Sequence, residues 1–258
     1  MLLTVYRDYD ALSAAAARTV AREVLARPES VLCLPTGGSP KGMFRELVKI
    51  HASKLLDLSR ITTFNLDEWV GLPGSDPRSF RGYMDQHFFG PVGLAAEQIH
   101  FLDGTAADLA EEARRYDDAI DEAGGIDVII LGVGVNGHIA FNEPSDRFSN
   151  GTHVIAIAES TIPSAVPDFG TREAVPPRAI TIGVGTIMRS RKILLLASGV
   201  GKAAALREAL TGAVGPHCPA TILRNHPDVE LLLDPAAFSL VESELPLTGV
   251  RVERAPGS

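Results

Sequence analysis

The sequence predicts a doubly wound α/β fold, Rossmann-like, with a mostly parallel sheet flanked by helices. Strand patterns and helix patterns alternate along most of the chain, as they do in sheets built from βαβ units. Three predicted strands, at 31–34, 126–131 and 192–197, are continuous apolar runs. Such runs are typical of strands that helices cover on both faces of a parallel sheet.

The other strands are predicted at short runs of branched and aromatic residues between turn-forming residues. They lie at 2–6, 61–66, 99–102, 152–157, 179–182 and, as the last strand, 229–233.

Helices are predicted where apolar residues recur at helical spacing. In one of them, Glu111 and Arg115 have the spacing of an i,i+4 ion pair. Residues 242–258 end in Ala-Pro-Gly-Ser and are expected to fray. The predicted helices cover 11–26, 41–50, 78–89, 105–123 and 201–210.

The length is enough for one large folded domain or two small ones. The 258 residues are 45% hydrophobic and 22% charged, which is ordinary for a chain with a sizeable core. No linker composition interrupts the sequence, so we predict a single α/β domain over residues 1–258. A net charge of −8 argues against a nucleic-acid or anionic membrane partner, but it does not exclude one local anion site.

The cysteines and the N-terminal segment predict a cytoplasmic location. Only Cys33 and Cys218 are present, so we expect buried core thiols and a reducing compartment. No apolar run approaches membrane-spanning length. Arg7 and Asp8 follow the first apolar stretch directly, which a signal peptide would not show.

One segment, at about residues 158–178, has poor helical and strand periodicity. A long irregular segment in a compact domain is often a lid over a binding site, so we predict an irregular lid here. It is rich in proline, with Pro163, Pro167, Pro176 and Pro177.

Polar residues and glycines follow four predicted strands, and open α/β sheets bind ligands at the carboxyl ends of their strands. The first group is Thr36, Gly37, Gly38 and Ser39, between a strand and a helix. Backbone N–H groups and two hydroxyls can hold a phosphate there. The alternative is an ordinary glycine-rich turn, since the ending of a P-loop is absent.

The second and fourth groups hold charged side chains. Asp67 and Glu68 are adjacent at the end of a strand and point apart on an extended chain, so one of them is a candidate general base. The alternative is a pair of solvated acids, and Trp69 is expected to pack. Lys202, at a helix start, can neutralise a phosphate, or it is a solvated surface lysine.

The third group is the run from Gly132 to Pro144, which follows the strand at 126–131. It matches the G-x-G-x-x-G dinucleotide fingerprint, but no amphipathic helix follows, so the match is weak. His138 and Glu143 fit better as an acid/base residue with the carboxylate that orients it. A structural histidine is the alternative. The other histidines lack metal-ligand spacing, so we predict no metal.

Together these segments resemble the glucosamine-6-phosphate deaminase (isomerase) family over nearly the whole chain. Several long motifs in the same order form a specific signal, which none of them forms alone. The motifs are Leu34–Pro40, Phe64–Leu72, Gly137–Pro144 and Ala179–Ile187.

The resemblance implies that glucosamine 6-phosphate and water become fructose 6-phosphate and ammonia. His138 would help to open the sugar ring while Glu143 holds it, and Asp67 would move a proton from C2 to C1. The turn at 36–39 and Lys202 would bind the phosphate. No cofactor is implied, because every step is a proton transfer or an addition–elimination.

Two positions depart from the family pattern. Asn136 stands where many members carry Asp, and an amide can only orient groups by hydrogen bonds. In an ungapped comparison, Pro167 stands where the family has a lid arginine that contacts the phosphate. One alternative is that Arg172 or Arg178 replaces this arginine in a rebuilt lid. The others are that the substrate carries a different acid group, or that the activity differs from that of the family.

Three other functions remain open at this point. A 6-phosphogluconolactonase shares the fold and the phosphate loop, but its histidine motif continues differently. A related deaminase would act on an amino sugar with another acid group. A sugar-phosphate sensor usually carries a DNA-binding segment first, and here the first strand begins at Leu2. We expect a small sugar phosphate as the partner; the family includes monomers and hexamers, so a homo-oligomer is not excluded.

Overall fold

A computed structural model describes residues 1–256, in which the strands form two sheets. The strands in this range are β1 (Leu2–Val5), β2 (Val31–Leu34), β3 (Thr62–Asn65), β4 (Asp67–Trp69), β5 (Ile99–His100), β6 (Val128–Leu131), β7 (His153–Ala156), β8 (Arg178–Thr181), β9 (Lys192–Ala197), β10 (Val229–Leu233) and β11 (Arg251–Arg254).

Helices cover both faces of the larger sheet. They are α1 (Tyr9–Ala26), α2 (Gly38–Ala52), α3 (Phe80–Met84), α4 (Gly90–Val92), α5 (Leu109–Glu122), α6 (Ile162–Phe169), α7 (Val184–Arg189), α8 (Ala203–Thr211) and α9 (Pro235–Phe238). A π-helical turn at Asp85–Phe89 joins α3 to α4. Short 3₁₀ turns lie at Ala96–Gln98, Val200–Lys202, Pro219–Asn225 and Glu242–Glu244.

The larger sheet has the strand order β11-β1-β10-β9-β6-β2-β3-β5, and its neighbouring strands are parallel. The three apolar strands β2, β6 and β9 are buried along their whole length. In β9, Ile193 and Leu195 pack into one core layer, and Leu194 and Leu196 pack into the other. The predicted doubly wound fold is therefore confirmed.

A second, antiparallel sheet of order β4-β8-β7 lies apart from the first. The chain passes between the sheets at Leu66. Its N–H donates to the carbonyl oxygen of Leu34 in β2, and its own carbonyl oxygen accepts from the N–H of Ile182, just after β8. The predicted strand at 61–66 therefore ends earlier, at Asn65, because the next residue serves two sheets.

Two helix starts differ from the prediction by three or more residues. Helix α2 begins at Gly38 rather than at residue 41, so the glycine-rich turn forms its first turn. Helix α5 begins after Asp108, whose carboxylate accepts from two backbone N–H groups. On α5, Arg115 pairs with Glu112 at i,i+3, so the expected i,i+4 partner Glu111 is wrong.

The lid prediction of irregular backbone is wrong for 162–169, which form α6. Pro163 lies in the first turn, where a helix needs no N–H donor. Pro167 lies inside the helix and removes one hydrogen bond. Ala165 and Phe169 are buried in a third apolar cluster with Trp69, and this packing stabilises the helix against its prolines.

The expected frayed tail is also wrong for most of its length. Residues 251–254 form β11, which pairs with β1 in parallel, so the strand at 229–233 is not the last one. Gly257 and Ser258 lie outside the described residues. Cys33 and Cys218 are buried free thiols, as predicted. Across residues 1–256, no helix is both long and apolar enough to span a membrane.

Removal of residues 250–258 tests the contribution of β11. The deletion leaves one edge of β1 without a paired strand, and it removes Val252, which packs against the hydrophobic core. We expect the free energy of unfolding to fall by about 2 kcal/mol. For a chain of this size, that lowers the melting temperature by roughly 4–8 °C. Thermal melts followed by circular dichroism measure it, with Val252→Ala expected to give a smaller shift. An unchanged melting temperature would contradict this role of β11.

Candidate active site

One cavity of about 240 Å³ lies at the carboxyl ends of the central strands of the larger sheet. Its lining includes residues that the sequence analysis selected from four separate segments. They are Thr36, Gly37, Gly38, Ser39, Asp67, His138 and Lys202. The other two selected residues, Asn136 and Glu143, contact His138 from outside the lining. All nine residues are therefore close together.

The glycine-rich turn is held by two tyrosines that the sequence analysis did not select. Tyr83 Oη donates to the carbonyl oxygen of Gly37 over 2.7 Å. Tyr9 Oη donates to the carbonyl oxygen of Gly38 over 2.8 Å and accepts from the N–H of Gly42 over 2.8 Å. The first N–H groups of α2 have no partners within the helix, so this end can receive an anion.

Asp67 lies at the start of β4 and faces the cavity, with 7% of its surface exposed. Within residues 1–256, no group donates a hydrogen bond to its carboxylate. Burial, with a smaller effect of the nearby Glu68 charge, raises the pKa of Asp67 well above its ordinary value. A raised pKa makes the carboxylate a stronger base, which is the property that a general base needs.

Glu68 is directed away from Asp67, as predicted for neighbours on an extended strand. Its carboxylate accepts from the backbone N–H groups of Phe80 and Arg81, each over 2.9 Å, and thereby holds the start of α3. Burial raises the pKa of Glu68, although these hydrogen bonds oppose the rise. Both acids are buried, so the alternative of solvated strand-end acids is wrong.

His138 is held on one side by a carboxylate. Its Nδ1 lies 3.2 Å from Glu143 Oε2. Glu143 also accepts from Asn136 Nδ2 and from Thr161 Oγ1, each over 2.7 Å. Burial alone would raise the pKa of Glu143, but His138 and the two hydrogen bonds lower it below its ordinary value. The imidazole lines the cavity, where a ligand can reach it.

Two glycines shape the loop around this imidazole. At Gly134 a Cβ atom would overlap the ring of His138. Gly137 has φ +84°, and a Cβ atom there would overlap Sγ of Cys218. Turns and an isolated bridge between Ile139 and Asn142 follow, and no helix begins, so the dinucleotide fingerprint is rightly set aside.

Two polar side chains connect the His138 loop to the end of β8 and to Leu66, the residue before Asp67. Thr181 Oγ1 accepts from the N–H of Phe141 over 3.1 Å and donates to the carbonyl oxygen of Leu66 over 3.3 Å. Asn142 Nδ2 donates to the carbonyl oxygen of Ile182 over 2.9 Å. The sequence analysis missed both as site residues. Both lie inside motifs of the family resemblance, Gly137–Pro144 and Ala179–Ile187, but neither residue was predicted to belong to the site.

Trp69 packs as predicted and forms an aromatic wall of the cavity. Its ring centroid lies 5.3 Å from that of Phe80, 5.0 Å from that of Phe141 and 5.6 Å from that of Phe169. Phe169 belongs to α6, so this wall fixes α6 beside the cavity.

Among the described residues 1–256, the lysine or arginine that lines the cavity is Lys202. It is partly buried, and burial lowers its pKa, so it is not a fully solvated lysine. Neither Arg172 nor Arg178 lines the cavity. Arg172 pairs with Glu159 on the surface, so the rebuilt lid supplies no arginine. Among residues 1–256, no group of three or more His, Cys, Asp or Glu side chains is arranged to hold a metal.

The fold and the cavity together define a doubly wound α/β enzyme whose site suits proton transfer. Comparison with known proteins then gives the family. The chain belongs to the family described as glucosamine-6-phosphate isomerases/6-phosphogluconolactonase, which matches residues 7–232. The resemblance inferred from the four motifs is thereby confirmed.

Relatives from two bacteria agree with this assignment. The glucosamine-6-phosphate deaminase of Thermoanaerobacter pseudethanolicus is 42% identical over 244 residues, which cover 95% of this chain and 96% of the relative. The glucosamine-6-phosphate deaminase of Clostridioides difficile is 42% identical over 239 residues, which cover 93% and 96%.

Solved structures support the same fold. One described as a monomeric glucosamine-6-phosphate deaminase has a TM-score of 0.91 at 40% identity, covering 93% of this chain and 100% of the other. The 6-phosphogluconolactonase of Thermotoga maritima has a TM-score of 0.72 at 18% identity, covering 91% and 100%. The second likeness concerns the fold alone.

Substitution of Gly137 tests the loop geometry. Gly137→Ala is expected to destabilise the protein by at least about 2 kcal/mol, because positive φ strains alanine and its Cβ overlaps Cys218 Sγ. Denaturant unfolding measures this. The double variant Gly137→Ala/Cys218→Ala should recover part of the loss, with Cys218→Ala as the control. No recovery would show that the overlap with Cys218 is unimportant.

Proposed function

We propose that this chain is a glucosamine-6-phosphate deaminase, which converts glucosamine 6-phosphate and water into fructose 6-phosphate and ammonia. One observation carries the proposal: Asp67, His138, the turn at 36–39 and Lys202 line the same cavity. Proton donors and acceptors and an anion-binding end therefore lie within reach of one small molecule. The names of the relatives supply the substrate.

The turn at 36–39 and Lys202 would bind the phosphate. The N-terminus of α2 offers unpaired N–H groups and a partial positive charge. The hydroxyls of Thr36 and Ser39 add donors, and Lys202 adds an ammonium group. With the phosphate held, C1 and C2 of the sugar would stay at a fixed distance from Asp67 and His138.

His138 would move the proton that opens the sugar ring. Because Nδ1 faces Glu143, the other ring nitrogen is left to exchange a proton with the ring oxygen. The pKa of Glu143 is lowered, so this carboxylate stays ionised and stabilises a protonated imidazole. Asn136 would orient Glu143 through its amide N–H and takes no proton itself.

Asp67 would take the proton from C2 of the open-chain sugar and return it at C1. Water then adds at C2, and the C2–N bond breaks to release ammonia. The raised pKa of Asp67 suits both halves of the transfer, because a stronger base removes the proton and its acid form still gives it back.

One chain would suffice for activity, because residues of a single chain line the cavity and the solved relative of 40% identity is described as monomeric. We propose that residues 1–258 act as one domain with a lid at about 158–178, without a nucleic-acid or membrane partner. The free thiols of Cys33 and Cys218 favour a cytoplasmic location.

An ammonia-release assay tests the function directly. Glucosamine 6-phosphate, galactosamine 6-phosphate and glucosamine are offered in turn, together with 6-phosphogluconolactone in a hydrolysis assay. We expect ammonia from at least one phosphorylated amino sugar. Hydrolysis of the lactone without any ammonia release would replace the deaminase by the lactonase alternative.

Substitution of the proposed base separates chemistry from folding. Asp67→Asn is expected to lower kcat by roughly 10²–10⁴-fold, the usual contribution of a general base. The same variant should melt at a higher temperature at pH 7. The folded wild type binds the Asp67 proton more tightly than the unfolded chain does. The wild type therefore loses stability as the pH rises from the pKa of the unfolded carboxyl through the raised pKa of the folded one.

Melting curves of the wild type and of Asp67→Asn at pH 7 and at about pH 4 measure this difference in stability. The lower pH is chosen because an unfolded Asp carboxyl titrates close to it. The stability gain of Asp67→Asn should shrink at the lower pH, where the wild-type carboxyl is already neutral. A variant with full activity would remove Asp67 from the mechanism.

The pH dependence of kcat/KM gives a further test. Activity should fall on the acid side, where the raised pKa of Asp67 brings protonation at a higher pH than usual. It should also fall on the alkaline side, because the lowered pKa of Lys202 removes its charge early. Lys202→Arg should extend the alkaline limb for the phosphorylated substrate, since arginine keeps its charge. An unshifted alkaline limb would exclude Lys202 as its cause.

A further inference from the structure

Helix α6 presents polar side chains to the cavity. Thr161, at its N-cap, and Ser164 and Asp168 all belong to the lining. Their spacing of three and four residues puts them on one face of a helix. Phe169 is buried against Trp69, and this contact fixes the rotation of the helix. The polar face is therefore aimed at the cavity by packing.

The two ends of this face lie at different parts of the site. Thr161 donates to Glu143 at the proposed catalytic end. Asp168 lies near Tyr83, whose hydroxyl donates to Gly37 in the glycine-rich turn. The pKa of Tyr83 is raised by burial first, then by Tyr9 and by Asp168. Seven residues of helix span roughly 10 Å, so α6 runs alongside the cavity.

The polar atoms of this face are available to a ligand. Within residues 1–256, neither Ser164 Oγ nor the Asp168 carboxylate hydrogen-bonds to another residue. Pro167 immediately precedes Asp168 and restricts the backbone there. Asp168 thus stands as an unpaired carboxylate at the exposed rim of the cavity, in a lining where Lys202 is the cation among the described residues.

A carboxylate at this place has opposite effects on two kinds of substrate. It accepts a hydrogen bond from a hydroxyl group, and such charge-assisted bonds are stronger than neutral ones. It repels a phosphate dianion, with a strength that depends on salt because the carboxylate is exposed.

We propose that Asp168 determines which terminal group of the amino sugar the site accepts. Its carboxylate accepts a hydrogen bond from the 6-hydroxyl of an unphosphorylated amino sugar and weakens the binding of a 6-phosphate, so that unphosphorylated amino sugars are also deaminated. This proposal rests on the deaminase function proposed above. It assigns the substrate class of the same site.

The test compares kcat/KM for glucosamine 6-phosphate and for glucosamine in the wild type and in Asp168→Asn. We expect measurable ammonia release from glucosamine by the wild type. In Asp168→Asn, the preference for the phosphorylated substrate should rise about tenfold, the effect expected of one charge-assisted contact. Raising the salt from about 0.05 M to about 0.5 M should shrink the gain for the phosphorylated substrate.

Glu173→Gln is the matched control. Glu173 is an exposed carboxylate of the same segment that does not line the cavity, so its variant changes the net charge equally. An unchanged preference in Asp168→Asn or an equal change in Glu173→Gln would overturn the inference. So would a wild type that releases ammonia from glucosamine 6-phosphate but none from glucosamine.

Failure of the proposed function gives a different result. In that case the wild type releases no ammonia from any amino sugar. The inference is then judged by calorimetric binding of fructose 6-phosphate and fructose, where Asp168→Asn should again favour the phosphorylated ligand about tenfold. An equal binding ratio in the two proteins would overturn it.

Discussion

The site depends on how Leu66 satisfies its backbone hydrogen bonds. Its N–H is bonded to the larger sheet and its carbonyl oxygen to the smaller one, so the chain leaves β3 and enters β4 within one residue. An unpaired buried backbone group would be costly, and this junction has little freedom. Asp67 follows directly and is therefore held at the sheet edge. The Thr181 hydroxyl bridges the same carbonyl oxygen to the N–H of Phe141 and so connects the strand of Asp67 to the His138 loop.

Two carboxylates of the site occupy opposite environments, and their chemistry differs accordingly. Glu143 receives donors from His138, Asn136 and Thr161, and its charged form is favoured. Asp67 receives none among the described residues, and its charged form is penalised by burial. Environments that push two pKa values apart suit one carboxylate to orienting a neighbour and the other to carrying a proton, which are the roles proposed for Glu143 and Asp67. Asn136 fits this division, since an aspartate there would offer Glu143 no donor.

The sequence predicted the parts of the molecule that local pattern encodes. The apolar strands β2, β6 and β9 and the loop from Gly132 to Pro144 follow from composition and spacing alone. What it missed depends on tertiary contacts. Helix α6 forms despite Pro167 because Ala165 and Phe169 are buried, and β11 forms because β1 offers a free edge. Tyr9, Tyr83 and Thr181 support the site through side-chain hydrogen bonds to residues far apart in sequence, which no periodicity reveals.

The position of β1 has a consequence for the order of events during synthesis. This strand is made first, yet it lies between β10 and β11, which both come from the last thirty residues of the described chain. Nascent residues 2–5 therefore emerge from the ribosome without their neighbours, and β1 cannot pair until residues 229–254 have been translated. Long-range parallel pairing of this kind is slow. Among the strands of the larger sheet, the apolar β1 therefore stays unpaired for the longest time during synthesis. A chaperone that binds exposed apolar segments would protect it.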